Sequence, residues 1–419
     1  MTNGDCSVTR MRILAFADYY LPGFKAGGPI RALANLVDAF EGEIEFHIVT
    51  REYDLGGQRY EGVVRDRWHQ VGPACVRYVG AAGVPRAELK RMLTDQAYDA
   101  VYLNSFFSPL SRAVIRERRL ASGDVLPLIV APRGELSPAA LKLKGVRKQA
   151  YMSVVKRIGA LRGIVWQASS AHEADHMASV LGDQVRPSIV VTEEIPSRAP
   201  AVSAREAKRA GSATLTFLSR ICRMKNLDTV IEVLRDVRGK VGLAVYGPIE
   251  DREYWDECRR TAAGLPANIE FSYQGVVPYD GVAEVIGKSD LFFLPTRGEN
   301  YGHVIVEALA AGCPVLVSDR TRWRDLEAHG VGWDVALDDT AKFRAAIERV
   351  VEMDESEHSG MRQRAVDYAS AVADDKAIIE RNRYLFQSAG RRSGPANSLP
   401  GTANVLTGVG HTAGSRDIQ

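Results

Sequence analysis

The segment GENYGHVIVEALAAGCPVLVSD, residues 298–319, predicts a loop, a helix and a short strand in succession. The apolar spacing from Val304 to Ala311 is helical, and Val315–Val317 is an apolar run typical of a buried strand. Another apolar run, Leu291–Leu294, precedes the segment and ends before Pro295. Buried strands that alternate with helices indicate a parallel sheet covered on both faces, and therefore an α/β fold.

The same alternation extends over both halves of the chain. Further strand candidates are Ile13–Ala17, Ile44–Val49, Ala100–Leu103, Leu126–Ala131, Gly163–Gln167, Leu215–Leu218, Gly242–Tyr246 and Ile269–Tyr273. A stretch rich in Pro, Ala and Arg, residues 193–212, interrupts the pattern and predicts a linker. The fold class predicted is two Rossmann-like, doubly wound α/β domains that face each other across a cleft, where ligands of such sheets bind.

The domain limits follow from this pattern. We predict a disordered N-terminus over residues 1–10, a first domain over 11–200 and a second domain over 201–374. The Gly/Ser/Pro-rich residues 388–419 show no periodicity and predict a disordered tail.

Composition excludes several classes of protein. The chain has 419 residues, 46% of them apolar, with a formal net charge of +2, so global disorder and a general affinity for nucleic acid are not expected. The five cysteines show no zinc-ligand spacing, which predicts free thiols in a reducing compartment. No apolar stretch has the length of a membrane span or signal segment, so we expect a cytoplasmic protein.

Candidate binding residues lie at the start of the helix in the opening segment. Asn300, Tyr301 and Gly302 precede it, where unpaired N–H groups and the helix dipole favour a phosphate group. Glu299 and Glu307 are eight positions apart, about 12 Å along a helix. That is farther than the paired carboxylates of glycoside hydrolases. Glu307 could instead accept hydrogen bonds from ribose hydroxyls.

Two further segments offer groups that bind phosphate. Arg220 follows a strand and Lys225 precedes the next helix, so these two cations could neutralise a diphosphate. Gly27 and Gly28 lie between the first strand and its helix and offer unhindered backbone N–H groups.

Together these motifs resemble the retaining nucleotide-sugar glycosyltransferases of family 4, which have the GT-B fold. The resemblance rests on Arg220 and Lys225, YGP at 246–248, SD at 289–290 and the E-x7-E block from Glu299 to Glu307. These pieces stand in the family's order, and the resemblance covers Met11 to about residue 387.

The resemblance implies a role for each of these positions. Arg220 and Lys225 would hold the donor diphosphate, Glu299 the sugar hydroxyls and Glu307 the ribose. The backbone contacts to donor sugar and phosphate would come from Asn300, Tyr301, Gly302, His303 and Val304. Gly27 and Gly28 would close over the phosphates from the first domain, and a helix at 375–387 would cross back to that domain.

The chain departs from the family at the acceptor side. Many relatives carry a His after the strand that here ends at Ala131, whereas this chain reads APRGELS. Arg133 or Glu135 is therefore expected to face the acceptor, with specificity set by first-domain loops such as 51–70 and 132–148. Tyr301 replaces a more common Phe and His303 an aliphatic residue, which is tolerable if only their backbone N–H groups bind.

The resemblance also implies the chemistry. No metal-ligand cluster is visible in the sequence, so we expect neither a metal ion nor another cofactor. The substrate would be a UDP- or GDP-sugar, and its departing charge would be stabilised by Arg220, Lys225 and helix-end amides. Transfer would retain the anomeric configuration.

A basic stretch predicts a membrane surface as a partner. Residues 136–172 contain no acidic residue and hold seven cations among apolar positions: Lys142, Lys144, Arg147, Lys148, Lys156, Arg157 and Arg162. Such a segment suits docking on an anionic membrane. We therefore expect residues 142–162 to hold the enzyme on the inner face of the cell membrane. The acceptor would be a lipid-linked saccharide in bacterial surface polysaccharide assembly, such as exopolysaccharide or lipopolysaccharide.

Three other interpretations stay open. A solvated cationic helix would also explain the basic stretch. A non-catalytic assembly subunit with the GT-B fold would explain the missing His. A nicotinamide-dependent oxidoreductase would suit the architecture, but the first loop reads LPGFKAGGP and lacks GxGxxG.

Overall fold

The computed structural model describes residues 10–121, 123–142, 145–197 and 205–391. Its first sheet has eight strands in the order β3-β4-β2-β1-β5-β6-β7-β8. They are β1 Met11–Phe16, β2 Ile44–Arg51, β3 Trp68–Val71, β4 Ala74–Val79, β5 Ala100–Leu103, β6 Leu128–Val130, β7 Ile164–Ala168 and β8 Ile189–Val191. All neighbouring pairs are parallel except β3 and β4, which form an antiparallel hairpin at the edge.

The second sheet has six strands, all parallel, in the order β11-β10-β9-β12-β13-β14. They are β9 Ser212–Leu218, β10 Lys240–Tyr246, β11 Ile269–Gly275, β12 Leu291–Leu294, β13 Val315–Ser318 and β14 Gly332–Val335. The central strands β12 and β13 are fully buried, as their continuous apolar runs predicted.

Helices cover both sheets. In the first half they are α1 Gly28–Ala39, α2 Arg86–Leu93, α3 Pro109–Leu120, α4 Pro138–Lys142, α5 Gly145–Arg157 and α6 Ala171–Leu181. In the second half they are α7 Leu227–Leu234, α8 Arg252–Ala262, α9 Tyr279–Gly287, α10 His303–Ala310, α11 Thr340–Glu352, α12 Glu355–Ala373 and α13 Lys376–Arg391. The predicted α/β class with two sheet domains is confirmed.

The last helix belongs to the core of the first domain. Phe386 of α13 packs edge-on against Phe40 and Phe46, with ring centroids 6.2 and 5.8 Å away. This is the helix expected over residues 375–387, and it continues to Arg391 into the stretch assigned to the tail. The remaining tail, residues 1–9 and the predicted boundary at 200/201 lie outside the described residues.

The two first-domain loops expected to set specificity are partly regular structure. Residues 51–70 include the end of β2 and the start of β3, and residues 132–148 include α4 and the start of α5. Strand β3 escaped prediction because WHQV is short, polar and half exposed at a sheet edge. Within the described ranges, no helix has both the length and the apolarity that crossing a bilayer requires.

Candidate active site

Lys225 and Glu299 meet at the carboxyl edge of the second sheet. Lys225 Nζ lies 2.5 Å from Glu299 Oε2, and both side chains are largely buried. The loops that carry them are tied together, since Arg297 N–H donates to Met224 O at 2.8 Å and Asn226 Nδ2 donates to Pro295 O at 3.0 Å. The structure thus brings together two predicted site residues that are far apart in sequence.

Arg220 stands at the same edge with a different partner. Its Nη1 lies 2.5 Å from Glu250 Oε2, and both side chains are about two-fifths exposed. A diphosphate that bound both predicted cations would have to replace Glu250 on Arg220 and Glu299 on Lys225. Exposed ion pairs are weak, so the first exchange costs little.

The N-terminus of α10 has no side-chain cap. Its N-cap residue is Gly302, which adopts a left-handed conformation with φ 81°. A Cβ there would lie 2.9 Å from Ile305 Cδ1 and 3.0 Å from Glu299 Cγ, so both the positive φ and this crowding favour glycine. Glu299 lies in the loop before α10, which begins at His303, so the estimate of about 12 Å for eight helical positions does not describe its separation from Glu307. The first N–H groups of α10, including those of His303 and Val304, are positioned to bind an anion.

Glu307 lies inside α10 with an incomplete set of partners. Its carboxylate is buried, and its Oε1 atom has no hydrogen-bond partner within the described residues. Burial raises the pKa of Glu307 above its ordinary value, and the charges of His303 and Arg31 offset only part of this rise. A desolvated carboxylate with a free acceptor atom is poised to bind a hydroxyl donor.

The first domain reaches this site through α1. Helix α1 packs against α10, and Gly27, its N-cap residue, has φ 69°. A Cβ on Gly27 or Gly28 would meet no atom within 4 Å, so this loop faces open space. Arg31 of α1 stacks on the ring of Tyr279 in the second domain. The cleft between the domains is thus bordered by the glycine loop on one side and α10 on the other.

A buried polar network joins the domains beside α10. Glu194 Oε1 lies 3.0 Å from Arg133 Nη1, and Glu194 Oε2 lies 2.6 Å from His303 Nε2. Asn300 Nδ2 donates to Glu194 Oε1 at 3.0 Å, and Asn300 Oδ1 accepts from the Ser169 hydroxyl at 3.0 Å. Burial would raise the pKa of Glu194, but Arg133 and His303 together lower it to about 2.

Arg133 is fully engaged inside the protein. Its Nε donates to Asn104 Oδ1 at 2.9 Å and its Nη2 to the Tyr102 hydroxyl at 2.6 Å, in addition to the Glu194 pair. Its side chain is only 7% exposed. The geometry thus does not favour the expected acceptor contact, because every part of the guanidinium already binds the protein.

Glu135 is also used internally. Its Oε2 accepts from the N–H groups of Phe106 and Phe107 at 2.6 and 3.1 Å, and its Oε1 accepts from the Ser105 hydroxyl at 2.8 Å. These bonds hold the loop before α3. An acceptor role for Glu135 stays a prediction that its contacts do not favour.

The side chains of Tyr301 and His303 are buried beside the site, and each has a polar atom without a partner in the described part of the chain. Tyr301 is 1% exposed and packs on the rings of His303 and Trp323, and its hydroxyl has no partner among the described residues. His303 Nδ1 is equally unpartnered there. Because an ionised carboxylate only accepts, His303 Nε2 carries the proton toward Glu194.

Sequence reasoning missed Glu194, Arg31 and Tyr279. Arg31 carried a signal, since a cation in the first turn of a helix after a glycine loop points toward the loop's ligand. Glu194 and Tyr279 carried none, because only the packing of the two domains brings them to α10. Across the described residues, no cluster of three or more His, Cys, Asp or Glu side chains could hold a metal ion.

The second half of the chain matches a known family. Residues 200–370 match the family model described as "Glycosyl transferases group 1". The matched part contains Arg220, Lys225 and the whole 299–307 block.

Two curated proteins show partial similarity. A 123-residue stretch is 29% identical to 2-deoxystreptamine N-acetyl-D-glucosaminyltransferase of Niallia circulans and covers 29% of this chain and 31% of that protein. A 219-residue stretch is 27% identical to GDP-mannose-dependent alpha-(1-6)-phosphatidylinositol monomannoside mannosyltransferase of Mycobacterium tuberculosis and covers 47% and 57%. The chain thus spans 31% of the first of these relatives and 57% of the second.

Solved structures match over the whole fold. Anabaena HepE in complex with UDP and glucose has a TM-score of 0.62 at 15% identity, covering 91% of this chain and 100% of that one. Sucrose-phosphate synthase of Thermosynechococcus elongatus has a TM-score of 0.64 at 16% identity, with the same coverage. The lipopolysaccharide-biosynthesis glycosyltransferase WaaG has a TM-score of 0.60 at 15% identity, covering 91% and 99%. The architecture is therefore the GT-B fold.

Proposed function

We propose that this protein is a retaining glycosyltransferase of family 4 that transfers a hexose-type sugar from a UDP- or GDP-sugar to a lipid-linked saccharide. Its setting would be bacterial surface polysaccharide assembly at the inner face of the cell membrane. The match to the group 1 family model supports the class of activity. The donor follows the matched proteins whose names include UDP or GDP-mannose, and the setting follows WaaG.

The observation that carries the proposal is the incomplete coordination of Glu307. A buried carboxylate oxygen without a partner is costly, and α10 keeps it beside the glycine loop of the other domain. Ribose hydroxyls would supply the missing donors. The same helix presents its uncapped N-terminus to phosphate, so one element would bind two parts of a nucleotide.

Lys225 and Arg220 would stabilise the departing diphosphate. Both cations now neutralise carboxylates, and a diphosphate would take over these charge-assisted contacts. When Lys225 turns to the phosphate, Glu299 is released to bind the hydroxyls of the donor sugar. Lys225 then exchanges the negative charge of Glu299 for that of the diphosphate, so its own charge stays neutralised.

The transfer step follows from this arrangement together with the family resemblance. The acceptor hydroxyl oxygen bonds to the anomeric carbon on the face from which the diphosphate leaves, as the bond from that carbon to phosphate oxygen breaks. The hydroxyl proton passes to the departing phosphate oxygen. Closure of Gly27 and Gly28 over the donor would exclude water and suppress hydrolysis.

Product stereochemistry tests the proposal. The full chain is incubated with UDP- and GDP-hexoses and a lipid-linked saccharide, and the new linkage is assigned by proton NMR. We expect the donor's anomeric configuration in the product, and loss of transfer in Glu299→Gln. A conservative control, Glu327→Gln, changes a carboxylate that is 65% exposed and pairs with Lys342, so it should transfer normally. An inverted product, or full turnover by Glu299→Gln, would contradict the proposal.

A further inference from the structure

A basic cavity lies at the edge of the first sheet opposite the cleft. Its volume is about 980 Å³, and its lining includes five cations: Arg118, Arg119, Lys156, Arg157 and Arg162. None of the described residues that line it is Asp or Glu. The ends of α3 and α5 and the loop before β7 build it. Five like charges around one cavity repel each other and favour an anionic occupant.

Three of these cations also donate hydrogen bonds to backbone carbonyl groups. Arg118 Nη1 donates to Arg162 O at 3.1 Å, Arg119 Nε donates to Ile158 O at 2.8 Å, and Lys156 donates to Val180 O. These bonds hold the cavity wall in place. Arg118 Nε is nevertheless buried without a partner, as is the indole N–H of Trp166 in the lining, within the described part of the chain.

Arg157 and Arg162 do not form such structural hydrogen bonds within the described residues. Both are exposed, and across the described residues their guanidinium groups make no hydrogen bond or ion pair. Each therefore keeps all its N–H donors for a ligand in the cavity. One guanidinium group can donate two parallel hydrogen bonds to the oxygens of a phosphate. The cavity therefore suits a phosphate group.

Exposed apolar side chains lie at the cavity and along α5. Ile158, which lines it, is 45% exposed, and Leu120, next to Arg119, is 56% exposed. Along α5, Val154 is 56% and Val146 is 82% exposed. Ile158 N–H donates to Val154 O, so these two side chains lie one helical turn apart. Large apolar side chains beside a basic cavity are typical of a surface that meets a membrane.

The direction of α5 relates this surface to the cleft. Strands β6 and β7 are parallel neighbours, so α5 between them runs back from the cleft edge to the opposite edge. Val146 thus lies toward the cleft and Ile158 at the cavity. A membrane along α5 would place the cleft at the lipid surface.

We propose that this cavity binds the phosphate of an anionic phospholipid while Leu120, Val146, Val154 and Ile158 enter the bilayer surface. The proposal rests on the membrane part of the proposed function, and it is independent of the donor chemistry. Of the docking segment predicted over residues 142–162, the proposal assigns the main lipid contacts to the C-terminal end. The side chains of Lys142 and Lys144, which that prediction included, lie outside the described residues.

Vesicle flotation of the full chain tests the charge contribution. Vesicles are made of phosphatidylcholine alone or with phosphatidylglycerol, and Arg157→Gln/Arg162→Gln is compared with Arg259→Gln/Arg260→Gln. The control removes the same charge from exposed positions of α8. Each surface cation contributes about fivefold to affinity for anionic lipid, so the cavity variant, which lacks two cations, should bind about 25-fold more weakly. Equal weakening by both variants, or none by either, would overturn the proposal.

Two further arms identify the occupant. Ile158→Ser should weaken vesicle binding at high salt as well, because salt does not screen apolar insertion. The same change at Val191 on β8, which is similarly exposed, should not weaken it. Release of the protein from vesicles by inorganic phosphate at matched ionic strength would assign the cavity to a soluble phosphate and overturn the lipid assignment. Retention under that condition supports it.

Discussion

Replacing Glu194 with Gln should destabilise the protein far more than the same change at its neighbour Glu193. Glu194 is 4% exposed and joins Arg133, itself 7% exposed, to His303 of the other domain. Removing one partner of a buried pair costs about 3–5 kcal/mol of the free energy of unfolding. Glu193 pairs with Arg381 at 2.8 Å, but these side chains are 26% and 40% exposed, so Glu193→Gln should cost about 0–1 kcal/mol.

The pKa of Glu194 gives a second estimate of how much this side chain contributes to the free energy of unfolding. Its lowering from 4.5 to about 2 corresponds to about 3 kcal/mol of folding free energy. Because the folded-state pKa is the lower one, this contribution is complete above pH 4.5 and is lost as the pH falls toward 2. The gap in stability between wild type and Glu194→Gln should therefore narrow across that range.

Thermal and urea unfolding of both variants at neutral pH provide the assay. For a domain of this size, about 3–5 kcal/mol lowers the melting temperature by roughly 6–20 °C. Equal stability of Glu194→Gln and Glu193→Gln, or a gap that stays constant down to pH 2.5, would refute the reasoning that Glu194 is a buried, ionised link between the domains.

The other predictions concern the nucleotide site. Lys225→Ala should lower kcat by about 10²–10³-fold with an unchanged circular dichroism spectrum, because it removes a preorganised cation from the leaving group; steady-state kinetics measure this. Glu307→Gln should reduce the preference for UDP over 2′-deoxy-UDP by about tenfold or more in calorimetric titrations, since the variant loses the charge that strengthens its hydroxyl contacts. Unchanged discrimination would remove Glu307 from the ribose site. Gly302→Ala should cost about 1–2 kcal/mol in urea unfolding because of its φ of 81°, whereas Gly28→Ala, whose Cβ would meet open space, should stay near wild type.

The fold could be predicted because its central strands are fully buried. Runs such as Leu291–Leu294 are apolar throughout, and their lengths and flanking loops distinguish them from helices. Two of the edge strands, β14 and β3, carry no such signal. Gly332–Val335 contains Gly and Asp, and Trp68–Val71 is mostly polar, so each becomes a strand only by pairing with a neighbour already in the sheet.

The candidate site could be predicted only where the sequence fixes local geometry. The helix start at Gly302 follows from an apolar period and a glycine, and it lies where expected. The partner of His303 could not be found in this way. Of two adjacent glutamates, Glu193 is partly exposed and Glu194 is buried, and only the docking of the two domains decides which one meets His303.

The roles expected of Arg133 show the same limit. The sequence places it after β6 at the cleft edge, which is correct. Its φ of 54° and its bonds to Asn104, Tyr102 and Glu194 turn the guanidinium into the protein. Side-chain direction at a loop position depends on tertiary partners that no local pattern records.

Nucleoside diphosphate binding tests the central claim most directly. Melting curves are recorded with UDP, GDP, ADP, dTDP and NAD for wild type, Lys225→Ala and the control Arg223→Ala, whose side chain pairs with Glu257 on α8. A ligand at about 100 times its dissociation constant adds about 2.7 kcal/mol of stability. We predict that UDP or GDP stabilises wild type and Arg223→Ala, and that Lys225→Ala loses most of this gain. Stabilisation by NAD alone, or an equal response of Lys225→Ala to the diphosphate, would contradict the assignment of this cleft to a nucleotide-sugar donor.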